Sequence, residues 1–302
     1  MSSKPSIVSQ LLPQLDAWWS LLIASPWLIA ILLLFVVLSA KRHGELAYGS
    51  TRSSVVGWLL MALYFGAHLL LPVTEASMGL LGLILIIMLS DGIVSSLRHS
   101  RSPFFVHNLG VLLGALLVLH PASILLYPFI LVKLRGIKSL SGRHVVALLI
   151  GTISILLLAL MLFTERSWEG VASFVQRSVA PVIRVELPDP SQWPSLVLDL
   201  LYLLLITVAC FHCLRASVVR VRLAMSFHLQ LAWILMLLHL LYGAKSGGPQ
   251  LFILGAIFIS GIMSVHFATD RDSRWVILPI ALFTIALCAF RLWTYFHYTP
   301  LS

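Results

Sequence analysis

The run WWSLLIASPWLIAILLLFVVLSA, from Trp18 to Ala40, carries no charge and is bracketed by Asp16 and Lys41. A helix crossing a bilayer needs roughly 20 predominantly apolar residues, and this run supplies them. It is too long for the apolar core of a cleavable signal peptide. No basic segment precedes it and no small-residue cleavage pattern follows it. The run therefore reads as a first membrane span, with Pro26 a natural place for a kink.

The rest of the chain repeats the pattern. Of 302 residues, 60% are hydrophobic and only 10% are charged, and the mean hydropathy is +1.01. Soluble domains carry about 25% charge. A surface built from this composition is too poor in charge to face water, which excludes a soluble enzyme, a disordered regulator and a secreted disulfide scaffold. The apolar runs are continuous rather than alternating, so they predict helices and not a membrane barrel. The fold expected is all-α: a polytopic helical membrane protein in one integral domain, residues 1–302. Ten spans are expected, near 18–40, 55–73, 76–95, 103–119, 121–134, 144–163, 196–214, 223–242, 249–267 and 274–296. His120-Pro121 leaves almost no connection between the fourth and fifth, which predicts a tight hairpin or a re-entrant pair.

Charge orients the chain. If the loops alternate sides, 14 of the 20 Lys and Arg residues fall in one set of loops and six in the other. Basic residues concentrate in cytoplasmic loops, so the richer set is expected inside and both termini outside. The net charge of +9 is thus a topology signal, and no nucleic-acid partner is expected. The bilayer is the expected partner, with a lipid-linked substrate or other membrane subunits beside it. The longest outer connection, 164–194, spaces Trp168, Val171, Val175 and Val179 by three or four residues. It is expected to form an interfacial amphipathic helix and then a Pro-rich return.

Ionisable groups within a bilayer are costly and mark candidate sites. Tyr64, His68 and Glu75 share one face of the second span, and Asp199 and Tyr202 share one face of the seventh. These five are the expected lining of an outward cavity, with the alternative that Asp199 snorkels to the outer interface. Asp91, Arg98, Arg101, His107 and Asn108 form an expected polar cluster on the inner side, or simply an ion pair there. No metal and no cofactor is expected. The nearest approach to a ligand set is Cys210, His212 and Cys213 with His228, in the residue types zinc prefers. The three cysteines, Cys210, Cys213 and Cys288, are odd in number and lie within apolar runs, against a disulfide framework. Gly110 and Gly114 form a GxxxG pair, expected to bring two helices of the same chain close together.

The stretch FFVHNLGVLLGALLVLHPASILLYPF, followed by ILVKLRGIKSLSGRHVVALLIG, runs from Phe104 to Gly151. It resembles the middle of an uncharacterised family of multi-span inner-membrane proteins of Bacteroidota. The shared features fall on Asn108, Gly110, Pro121, Arg135, Arg143 and Gly151. Where that family has Arg-Glu-Trp before the later helix, this chain has Gly142-Arg143-His144. The resemblance covers about a sixth of the chain and implies a bacterial inner (cytoplasmic) membrane location without an activity. Three functions of the cell envelope are compatible with the sequence. They are transport or flipping of a small or lipid-linked substrate, a non-catalytic scaffold or assembly subunit, and a membrane-embedded transferase using carboxylates such as Glu75, Glu186, Asp189 and Asp199. The chain reads more readily as a non-enzyme than as an enzyme.

Overall fold

A computed structural model describes residues 31, 34–35, 37–38, 41–42, 59, 63, 73–96, 102–136, 141–163, 176, 193–214, 219–242, 251–269 and 274–298. Among them are eight α-helices, one 3-10 helix and no strand. The helices are α1 (Val73–Ser96), α2 (Pro103–Leu119), α3 (Leu126–Gly136), α4 (Gly142–Phe163), α5 (Trp193–Leu214), α6 (Val219–Tyr242), α7 (Leu251–Thr269) and α8 (Arg274–Tyr298). The 3-10 helix, Pro121–Leu125, precedes α3. The expected first two spans, both termini and the 164–194 connection fall largely or wholly outside the described residues.

Among the described residues, three helices contain stretches long and apolar enough to cross a membrane: Gly142–Met161, Leu196–Cys213 and Val221–Tyr242. At 1.5 Å per residue the 22 residues of α4 extend about 33 Å, close to the ~30 Å of a bilayer's hydrocarbon core. The outer surfaces of two of these helices, α4 and α5, are also mostly apolar. On α5, Val197, Leu201, Leu204, Val208 and Phe211 are exposed at three- and four-residue spacing, and on α4 Leu149, Ile150, Ile153, Leu157 and Leu158 are exposed. A helix on a soluble protein places polar residues there.

The core is organised round α7. Every residue from 252 to 263 is buried, because α6, α1, α8 and α5 all pack against this one helix. Gly255 lets two of them in. A β-carbon there would lie 2.9 Å from Ile86 Cδ1 on α1 and 3.0 Å from Leu235 Cδ1 on α6.

The most extensive helix pair is α2 with α4, and its register fixes how the chain runs. Gly110 meets the Leu148 backbone and Gly114 meets Thr152, so both helices advance four residues together and lie parallel. The intervening segment, 120–141, must therefore carry the chain back along the length of α2. Two local features begin that return. Ser102, in extended conformation, precedes Pro103 at the first position of α2, where a missing N–H goes unnoticed. At the other end Pro121 pushes His120 out of the helical region, to φ −147°, ψ 105°. The His120 N–H still reaches Leu116 O at 2.7 Å, closing α2. The 3-10 turn and α3 then descend. Tyr127 hydrogen-bonds Thr152, and Thr152 is the residue that bonds Gly110, so Tyr127 has already come back level with the middle of α2. Residues 103–134 thus turn back at Pro121, as both the tight hairpin and the re-entrant pair require. Lys133 and Arg135 end α3, where cations complement the helix dipole.

Candidate functional site

Helix α5 carries the buried acid. Asp199 and Tyr202 are each 1% exposed and stand three residues apart, so both face inward. Asp199 does not snorkel outward; it lies within the bundle and engages neighbouring groups there. The Tyr202 ring stacks near Phe283 of α8, with centroids 6.4 Å apart. Glu75 falls in the first turn of α1, while Tyr64 and His68 lie outside the described residues.

A groove of about 510 Å³ opens between α5 and α8. Trp193, Pro194, Val197 and Leu198 line it from α5, and Phe283, Ala286, Leu287 and Phe290 from α8. At 3.6 residues per turn, these α5 positions lie on the side of the helix opposite Asp199. Carboxylate and groove therefore occupy different faces of one helix. The groove's lining is suited to hydrocarbon and offers nothing for an ion.

On the expected inner side, Asp91 and His107 are half-buried and Asn108 is exposed, while Arg98 and Arg101 lie outside the described residues. Helices α1 and α2 do converge there: a β-carbon on Gly92 would lie 2.5 Å from Leu109 Cδ2 and 3.6 Å from the Phe105 ring. His107 stacks on Phe104 with centroids 6.4 Å apart.

The cysteine–histidine set does not assemble as one site. Cys210 and Cys213 are buried on the inner face of α5 and His228 is buried on α6, but His212 is exposed. Among the described residues no three His, Cys, Asp or Glu side chains are grouped to hold a metal ion.

Three polar features escape a reading by single-residue charge. Thr152 is a hub. Its hydroxyl lies 3.0 Å from both Gly110 O and Leu148 O and also pairs with Tyr127 OH. Between α5 and α6, Trp233 Nε1 donates to Thr207 Oγ1 at 3.0 Å. At the hairpin tip, His120 and Ser123 are 3% and 0% exposed, and neither side chain has a hydrogen-bond partner among the described residues. The His120 ring lies 4.6 Å from that of Phe252, at the start of α7. Burial lowers its pKa to about 4, so the imidazole is neutral at physiological pH. The signal for Thr152 was in the sequence, since the adjacent pair Gly151-Thr152 faces the GxxxG of α2.

Comparison with known proteins adds no relative: no family model, no curated protein and no solved structure matches this chain significantly.

Proposed function

We propose that this chain is a multi-pass integral protein of the bacterial inner membrane that transports or flips a small or lipid-linked substrate. Asp199 is the group that senses or accompanies the substrate. In this reading the ten sequence spans cross the bilayer, both termini lie outside, and the basic loops face the cytoplasm. The observation that carries it is Asp199 itself, an acid 1% exposed within the bundle. Burying a carboxylate in such surroundings is costly unless it is compensated. Acids buried within membrane spans are the residues that mark substrate, ion and proton paths. The buried His228 and His120 add further polar groups to the bundle's interior.

One observation favours the scaffold reading instead. The groove between α5 and α8 is apolar throughout and lies on the face opposite Asp199, as a docking surface for another membrane helix would be. The two readings separate on Asp199→Asn, which is nearly isosteric and uncharged. With expression and membrane insertion matched to wild type, loss of cell-envelope function supports transport. Full function in the variant contradicts it and leaves the scaffold.

A further inference from the structure

Helices α3 and α6 meet through long side chains. Phe129 stacks on Phe227 with ring centroids 5.8 Å apart. Beside that pair the seam is polar. Arg222, Ser226 and Gln230 recur every four residues, on one side of α6. Arg222 and Gln230 are exposed and Ser226 is half-buried. Gln230 Nε2 donates to Ser226 Oγ at 3.4 Å. On the outward faces of α4 and α5 the corresponding positions are mostly apolar.

Lys133 of α3 stands across from this stripe. Its ammonium donates to Gln230 Oε1 and lies 5.5 Å from the centroid of the Phe129 ring. Neither partner is an anion, and among the described residues Lys133 forms no ion pair. In the sequence, the connections that follow α3 and precede α6, residues 137–140 and 215–218, contain Lys138 and Arg215 and no acid. A half-buried ammonium is thus supported by an amide and a ring face, on a helix whose last turn also carries Arg135. Beside it lies the half-buried Phe129 ring, which itself covers the buried Phe227. A phosphate ester on a hydrocarbon tail matches that arrangement: charge and hydrogen bonds for the phosphate, a ring for the chain.

We propose that the α3–α6 seam binds the phosphate headgroup of an anionic phospholipid from the inner leaflet. Lys133, held by Gln230, supplies the charge, and the half-buried Phe129 ring the surface for the acyl chain. The leaflet assignment rests on the membrane reading above; the seam's chemistry does not depend on what Asp199 does.

The test is native mass spectrometry of the full chain in detergent, offered equal amounts of dioleoyl phosphatidylglycerol and dioleoyl phosphatidylcholine. Wild type is expected to retain phosphatidylglycerol preferentially. Lys133→Gln is expected to lower that retention about fivefold, the worth of one basic residue near an anionic lipid surface. Lys133→Arg should restore it, and Lys245→Gln, on the opposite side by sequence, should leave it unchanged. Circular dichroism and elution volume confirm that each variant is folded. Equal retention of both lipids, or retention by Lys133→Gln equal to wild type, overturns the proposal. Displacement of the lipid by millimolar inorganic phosphate overturns the lipid assignment in favour of free phosphate. Extraction of membranes with alkaline carbonate keeps the two readings apart. Release of the protein defeats the membrane reading, whereas a carbonate-resistant protein without lipid preference defeats the seam alone.

Discussion

The α2–α4 crossing and the α5–α8 pair join apolar helices in opposite ways. At the first, backbones touch. A β-carbon on Gly114 would lie 2.9 Å from Thr152 O, and one on Gly151 2.9 Å from the Val111 nitrogen. At the second, Trp193, Phe283 and Phe290 hold the helices apart and leave a groove of about 510 Å³. Within a bilayer no hydrophobic force favours helix over lipid, so close packing and interhelical hydrogen bonds must hold a pair together. The crossing has both. The α5–α8 groove is lined by apolar side chains and open. Stability is concentrated where the side chains are smallest, and room for a ligand lies where they are largest.

The largest effect is expected from breaking the crossing. Gly151→Leu drives a side chain into backbone, which cannot move aside as a flexible side chain could. Overpacking of this kind costs about 1–3 kcal/mol and sometimes more. Loss of the monodisperse form in detergent and a fall in thermal midpoint would show it. Next comes pH. His120 titrates near 4 in the folded chain and near 6.5 when unfolded. The unfolded state takes up the proton first, so this contribution is complete above pH 6.5 and is lost as pH falls from 6.5 through 4. The ceiling is about 3 kcal/mol. Thermal midpoints measured from pH 7.5 to 4.5 should fall in wild type and fall less in His120→Phe.

Smaller changes sharpen the contrast. Thr152→Val removes the hydroxyl from the crossing but keeps its shape. It is expected to destabilise by about 1 kcal/mol, within the range measured for hydrogen bonds between membrane helices. A cycle with Tyr127→Phe should show coupling between the two sites, because they are bonded. The smallest effect belongs to the groove. Ala286→Leu adds bulk where space already exists, so stability should stay within about 0.5 kcal/mol of wild type. If it fell as far as Gly151→Leu, the difference between the two regions would vanish.

The helices themselves were legible in the sequence because a long uncharged run has few alternatives to a helix. Pro103–Leu119 was readable to the residue, since Pro103 opens that helix and Pro121 forbids its continuation. The GxxxG of α2 also announced its role. What stayed hidden was direction within each helix. A wheel puts Asp199 and Tyr202 on one face but does not say whether that face meets lipid or core when both faces are apolar. The same ambiguity concealed the outward position of His212 and the placing of Lys133 across from Gln230, 97 residues away along the chain. Periodicity finds an interior by contrast between polar and apolar faces, and this composition supplies almost none. Those placements depend on partner helices, and only the packed bundle reveals them.

In the proposed topology α2 and α4 begin on the same side of the membrane because 120–141 returns between them. It can be tested by single cysteines at Ser102, Ser141 and Gln176, in a background lacking Cys210, Cys213 and Cys288, labelled with an impermeant maleimide on intact cells and after permeabilisation. Expected is labelling at 176 on intact cells, and at 102 and 141 only once the membrane is opened. Labelling of 102 and 141 from opposite sides would contradict it.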